Sequence, residues 1–554
     1  MNRSVLGQSW FVIAFCALLL VTLCLTAHSP IYIDEVAYKI LYTRTFLDDH
    51  VMIGLYPQCN DEWALRVPAW VFPFRAWDAF ALADFSNPFF HRIFGVLQFV
   101  LEIILSFFLL SQISYLSKRP RSECLVLAAS IFTLGVLPFQ MVFVRPELSL
   151  LLSLTGILWI ALRSHRDGAT GSRFQRTALF VLMLFLIWAF FSYHVKSVFF
   201  LPFFLWLIWS QPLSILARSL GLVWVLFLGL QVPGYYGAFS KCEGYPYLTY
   251  ISSYLMISPE AVLGDPYGSV LLGFKNLSQI YLYFKQMIFR GQYDSLWLPL
   301  QWHEMGKVSW VLLGALFSFT GLLMLSSGVS FFLRRPKLEA YPFKLGMGLL
   351  LSLLLLSFFQ TAKSFYEPSF FVPIFIFSGM LMMSCQEPGV GGRIKRNFIS
   401  LLVGVSVLSQ LYLAILVFPE LERWTVPGYL KDQPLNISIF GFEKLRRQIA
   451  DTAKLCEIST EQEYNHLLID DLTYSVFWKT RLPYFAPDLA NYWSSRIPDL
   501  RLFLMERGSP GAITACRSLP KILRDNAREN GSLCCIPDFK SLRHQFRPRG
   551  WLDP

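Results

Sequence analysis

What most constrains this chain is a succession of apolar runs, each nearly free of charge and most long enough to cross a lipid bilayer. The first, Trp10 to Ala27, contains no charged residue; at about 1.5 Å per helical residue it nearly spans a ~30 Å hydrocarbon layer. Ten more follow at 91–116, 124–143, 147–162, 177–192, 198–210, 220–233, 308–333, 345–361, 368–384 and 398–418. A cleaved signal peptide leads into a soluble domain, whereas this run leads into further apolar runs, so it reads as a retained anchor. Composition agrees: 55% of the 554 residues are hydrophobic, 16% aromatic and 15% charged, which excludes a soluble globular chain. The expected fold is an α-helical polytopic membrane protein with about eleven transmembrane helices. The short runs 198–210 and 220–233 read either as re-entrant or as extending into their flanks.

Orientation follows from the loops, because Lys and Arg close to span ends are retained on the cytoplasmic side. Every second loop is basic: Lys118, Arg119 and Arg121; Arg163, Arg166, Arg173 and Arg176; Arg218; Arg334, Arg335, Lys337 and Lys344; Arg393, Lys395 and Arg396. With Arg3 they place the amino terminus in the cytoplasm and the carboxyl terminus outside. The net charge of +11 is largely this bias, so no nucleic-acid partner is implied. Residues 28–90 and 234–307 become large outer loops of a membrane part spanning 1–418, and 419–554 becomes an extracytoplasmic tail. In the tail, His466 to Asp470, Ala512 to Cys516 and Ser532 to Ile536 read as short strands, the first two leading into helix-like stretches, giving a small α/β domain. Cys59, Cys242, Cys456, Cys516, Cys534 and Cys535 all fall outside; an even number permits disulfides, Cys59 with Cys242 or others, and equally permits free thiols.

The stretch after the first run carries the clearest chemical signal. Ile33, Val36, Ala37, Ile40 and Leu41 form the apolar stripe of a helix lying on the membrane surface, which puts Asp34 and Glu35 at the lipid–water boundary. Glu35 has a plain structural explanation, a surface ion pair with Lys39 four residues on; Asp34 has none in its own helix. The short outer turns add Arg145-Pro146-Glu147, His194-Val195-Lys196 and Lys363 to Pro368. Each retains a basic residue that topology does not require, and a lone one of these reads as snorkelling to the head groups. Three around an acidic helix point to a phosphate site.

In order and sidedness these motifs resemble the GT-C superfamily of glycosyltransferases, in particular the branch of protein O-mannosyltransferases and lipid A aminoarabinose transferases. The resemblance covers roughly residues 1–420. It implies a glycosyltransferase, moving a hexosyl or pentosyl group from a polyprenyl-phosphate lipid to an acceptor hydroxyl on a glycan, lipid or protein. Asp34 is then the base, with Glu35 and Glu147 beside it; relatives often carry Asp where this chain has Glu147. Arg145, His194, Lys196, Lys363, Tyr366 and Arg290 would bind the lipid phosphate and sugar. Cations stabilise the departing phosphate and a base activates the hydroxyl, so no cofactor is required; a divalent metal on Asp34, Glu35 and Glu147 is the less favoured route. The expected membrane is a bacterial inner membrane, with the endoplasmic reticulum as the alternative. The rival readings are a multi-span transporter, for which Glu102 within the second run would relay protons, and a lipid flippase or polymer ligase of related fold.

Overall fold

A computed structural model describes residues 3–29, 31, 35, 51–52, 67–68, 88–167, 172–240, 256–287, 305–334, 340–364, 366–385, 390–419, 421, 442–462, 464, 467–477, 480, 484–485, 509–519 and 521–539. The membrane part consists of helices α1 (Arg3–Ala27), α2 (Pro88–Gln112), α3 (Arg121–Phe132), α4 (Leu137–Met141), α5 (Pro146–Asp167), α6 (Arg173–Tyr193), α7 (Leu201–Trp209), α8 (Ile215–Ser240), α9 (Pro266–Ser278), α10 (Tyr281–Lys285), α11 (Met305–Arg334), α12 (Ala340–Phe359), α13 (Pro368–Met382) and α14 (Val390–Val417). Among the described residues, α1, α2, α5, α6, α8, α11, α12 and α14 are each long and apolar enough to cross a membrane, and Val195–Trp209 and Pro368–Met382 are shorter apolar helices. The chain is an α-helical multi-pass membrane protein. We call the end of the bundle where α1 finishes the outer end.

Local sequence explains the helix starts. Proline opens α2, α5, α9 and α13, where its missing N–H costs nothing and its fixed φ suits the first turn. Helix α14 begins at Val390, so Gly391 and Gly392 already lie in its first turn. The run 220–233 belongs to a 26-residue helix and needs no re-entrant explanation.

The third run departs from expectation. Residues 124–143 read as one span, yet α3 stops at Phe132 and α4 starts at Leu137. Between them Gly135 adopts φ +52°, and a methyl there would collide with the Met287 carbonyl oxygen. The same carbonyl accepts the Val136 N–H at 3.0 Å. Non-helical backbone at this depth is tolerated because it is buried in protein and its hydrogen bonds are met.

The tail begins its described part with α15 (Phe442–Leu455), followed by β1 (Leu468–Ile469), α16 (Asp471–Phe477), β2 (Tyr484–Phe485), β3 (Ala512–Ala515), β4 (Arg528–Asn530) and β5 (Leu533–Ile536). The sheet order is β2-β1-β3-β5-β4, with β1 parallel to β2 and β3 and the remaining pairs antiparallel. All three expected strands are present. Phe442, Leu445, Ile449 and Ala453 line one face of α15 and pack with Ile513, Leu533 and Cys535. Ile31, four residues beyond the end of α1, is buried in that same cluster, so the tail lies at the outer end. Cys456 is bonded to Cys535 and Cys516 to Cys534. Cys59, Cys242, Asp34, Lys39 and Arg290 lie outside the described residues.

Candidate active site at the outer end of the bundle

The turns singled out in the sequence converge. Arg145 and Glu147 stand at the start of α5, His194 and Lys196 between α6 and α7, and Lys363, Tyr366 and Glu367 between α12 and α13. Lys196 sits at the centre: its ammonium donates to Glu147 Oε1 at 2.8 Å and to Glu367 Oε1 at 2.6 Å. Arg145 Nε donates to the other oxygen of Glu147 at 3.2 Å, and its guanidinium lies 3.5 Å from the centre of the Tyr366 ring, a cation–π contact. Glu147 also occupies the first turn of α5, where the helix dipole favours negative charge.

A second layer supports Glu367 and Lys363. The Gln360 amide donates to Glu367 Oε1 at 2.8 Å, and Gln360 Oε1 accepts from the Tyr283 hydroxyl at 2.7 Å. Lys363 Nζ donates to the Ser357 carbonyl at 3.1 Å and to the Gln360 carbonyl, and lies 5.5 Å from the Tyr283 ring. Gln286 Nε2 donates to the Lys363 carbonyl at 2.9 Å. Tyr283 and Gln286 thus join the second outer loop to the site. Burial pushes the Lys363 ammonium down to about 8, against the opposing pull of Glu367. Burial also pushes the Glu367 carboxyl up, with Lys196 pulling the other way.

His194 plays a local part: its Nδ1 accepts the Lys196 N–H at 3.2 Å, capping the turn that presents Lys196. Glu35 is corrected. It is not a surface partner of a residue one turn on, but 1% exposed, and it accepts from Arg92 Nη2 at 2.9 Å, Arg92 Nη1 at 3.3 Å and the Val144 N–H at 2.9 Å. His91 Nε2 lies 3.3 Å away. The bidentate arginine and the backbone N–H offset the cost of burying the carboxylate. Arg92 Nη1 further donates to the Val142 carbonyl at 2.8 Å. Gly95, one turn along α2, permits this approach, since a methyl there would collide with that carbonyl.

Glu35 therefore ties the residue next to Asp34 to the residue next to Arg145. Glu35 and Glu147, expected among the catalytic carboxylates, are both held by cations, which suits them to positioning and not to accepting a proton. The same engagement makes them poor ligands for a divalent metal. Sequence reasoning missed Arg92, His91, Tyr283, Gln286, Gln360 and Glu367. Basic residues at the outer start of α2 were the available signal for Arg92; Glu367 beside Pro368 reads only as a helix start. Elsewhere, Cys516, Cys534 and Glu529 bring ligand-type atoms within 4.8 Å of one another, but the two sulfurs are bonded to each other, which removes them as metal ligands.

Among the described residues, three cations, Arg145, Lys196 and Lys363, face two carboxylates, Glu147 and Glu367. Among these described residues the cations outnumber the carboxylates by one, and Lys363 Nζ is held by backbone carbonyls and by neither of these two carboxylates. No protein-family profile matches this sequence, and no curated protein matches it. Several solved structures are similar to it, an ArnT and an AglB among them. ArnT from Cupriavidus metallidurans bound to undecaprenyl phosphate is 12% identical with a TM-score of 0.43, over 95% of this chain and 98% of that one. The archaeal oligosaccharyltransferase AglB from Archaeoglobus fulgidus, in complex with an inhibitory peptide and a dolichol-phosphate, is 11% identical with a TM-score of 0.45, over 91% of this chain and 69% of that one.

Proposed function

We propose that the chain is a glycosyltransferase that moves a sugar from a polyprenyl-phosphate donor to an acceptor hydroxyl on the non-cytoplasmic face of its membrane. The observation that carries this reading is the convergence of Arg145, Lys196 and Lys363, from three separate turns, into one buried cluster at the outer end. Residues 1–418 carry the site, and 419–554 form a unit on the same face. The sugar's phosphate is a ready leaving group, so the chain must supply cations to stabilise it and a base for the hydroxyl. Lys363 faces the phosphate most directly, and Arg145, braced by Glu147 and Tyr366, stands beside it. Lys196 keeps the two carboxylates from repelling each other. Asp34 is the base, as the resemblance to the GT-C superfamily implies, and Glu35 anchors its segment. Arg290 belongs to the donor site by the same resemblance.

The transporter reading rests on Glu102. Glu102 is fully buried, accepting from Thr155 at 2.7 Å and Ser106 at 3.3 Å, a contact between neighbouring helices and not part of the outer cluster.

The test is incubation of the purified protein with a panel of labelled polyprenyl-phosphate sugars and an acceptor mixture, reading release of free lipid phosphate. Release that disappears in Asp34→Asn supports the reading, because a positioned base contributes ~10²–10⁴-fold. More than about a tenth of the activity remaining in that variant would exclude Asp34 as the base. Labelling of introduced cysteines with an impermeant reagent in sealed cells tests the sidedness; reaction within 163–176 from outside would overturn it.

A further inference from the structure

A cleft of about 800 Å³ opens between α1, α3 and α14, within the range of pockets that hold small ligands (roughly 300–1,000 Å³). It lies at the inner end of the bundle, away from the site described above. Phe11, Val126, Val403 and Val407 make its upper wall apolar, whereas Ser122, Glu123 and Ser400 make its foot polar. Glu123 does not leave the foot acidic, because Arg119 pairs with it at 3.0 Å. Helix periodicity extends the polar foot to basic residues. Arg396 stands one turn before Ser400 on the face of α14 that continues through Val403, Gly404 and Val407. Arg121 immediately precedes Ser122, and both arginines are exposed. Gly404 lines the cleft, and a methyl built there meets nothing within 4 Å. The floor is therefore open space next to the glycine.

An apolar wall at the depth of the hydrocarbon, a hydroxyl-lined foot and two arginines at the membrane surface match one kind of molecule. We propose that the cleft holds one anionic glycerophospholipid of the leaflet at the inner end, its acyl chain along Val403 and Val407 and its phosphate at Ser122 and Ser400 beside Arg121 and Arg396. A zwitterionic lipid of the same chain length would fill the apolar wall but gain less at the foot. Each basic side chain near a membrane surface favours an anionic lipid by about fivefold, giving roughly 25-fold for the pair. This site is independent of the reaction at the outer end.

The test is titration of the delipidated full-length protein with phosphatidylglycerol and with phosphatidylcholine of identical chains, read by non-denaturing mass spectrometry. One retained phosphatidylglycerol per protein is expected, preferred by roughly 25-fold. The double variant Arg121→Gln/Arg396→Gln should bring the two lipids close to parity. Gly404→Trp should remove the retained lipid while leaving the melting temperature of the lipid-free protein within a few degrees. Photoreactive phosphatidylglycerol applied to the wild-type protein gives a reading that needs no folded variant: cross-links should fall in 120–126 and 399–408. Equal retention of the two lipids, no retention of either, an unchanged preference in the arginine variant, undiminished retention in a folded Gly404→Trp, or cross-links spread over all the helices would each overturn the proposal.

Discussion

Lys196 is the cation whose loss the geometry makes most costly. It lies 2.8 Å from Glu147 Oε1 and 2.6 Å from Glu367 Oε1, and none of the three side chains is more than 6% exposed. At an effective dielectric of about 20, Coulomb's law gives about 6 kcal/mol for each contact before desolvation is subtracted. Removing one partner of a buried pair costs about 3–5 kcal/mol net, because the remaining charge stays buried. In Lys196→Gln, Glu147 keeps Arg145, whereas Glu367 keeps only the Gln360 amide among its described partners. We therefore expect the lower end of that range, about 3 kcal/mol. Adding Glu367→Gln removes the stranded charge and should recover about half of the loss, a coupling well above the ~0.5 kcal/mol scatter of independent sites. Unfolding in mixed micelles followed by tryptophan fluorescence measures both variants. A single variant within about 0.5 kcal/mol of the parent, or losses that simply add, would refute the buried-bridge account. Lys196 would then be available as an anion ligand in its own right.

Lys363→Gln should behave in the opposite way, weakening donor binding by about 10- to 150-fold, the worth of one charge-assisted contact, without the loss of stability expected of Lys196→Gln; equilibrium binding of a labelled donor measures it. The pH profile supplies a second reading. Because the folded ammonium titrates at about 8, below an unfolded value of about 10.4, the unfolded chain binds more protons between these values. Stability should rise with pH across that window, while donor affinity falls above about pH 8, and both slopes should vanish in Lys363→Gln. Gly95→Ala forces a methyl against the Val142 carbonyl that Arg92 uses; a loss of about 1–3 kcal/mol in thermal or chemical unfolding is expected, with reduced activity because the same turn leads into Arg145. Glu102→Gln keeps the acceptor used by Thr155 and Ser106 and should leave donor turnover unchanged and stability within about 1 kcal/mol. An inactive but folded Glu102→Gln would return weight to the transporter reading.

The order of the long apolar helices was legible because hydropathy and helical length are local properties, although eight of the eleven expected runs, among the described residues, form helices long and apolar enough to span. The outer motifs were legible for the same reason: Arg145, Lys196 and Lys363 each sit at the end of an apolar run. Hydropathy does not register a break inside a run, so the kink at Gly135 went unseen although a glycine stood there. Long-range pairing is also invisible to local patterns. Lys196 lies 171 positions from Glu367, and Glu35 lies 57 from Arg92; nothing between them encodes the contact. The plain structural alternative for Glu35, a surface ion pair, does not fit its burial. An exposed i,i+4 pair contributes only about 0.3–0.5 kcal/mol, too little to hold a carboxylate in water when a buried arginine and a backbone N–H await it. In the tail, β4 escaped notice because Arg528-Glu529-Asn530 carries no apolar alternation, its place being set by pairing with β5.

The tail constrains where the cluster works by chemistry unrelated to loop charge. Cys534 and Cys535 are neighbours on β5, so their side chains point to opposite faces of the sheet; one is bonded to Cys516 beyond β3 and the other to Cys456 beyond α15. Both faces of that strand are thus held by bonds that persist only in an oxidising compartment. Ile31 packs into the core that Cys456 and Cys535 help to build, which fixes the tail and the exit of α1 on one side. Glu35, four residues further, is bonded to Arg92 and to the turn that carries Arg145, so the charged cluster lies on that side as well. The topology proposed from the basic loops, at the opposite ends of the same helices, makes that side the non-cytoplasmic one. In the proposed reaction an acceptor would reach Lys363 and Arg145 from that side, while a lipid donor would enter from the adjoining leaflet. The proposed transfer places no demand on a polar path through the bundle.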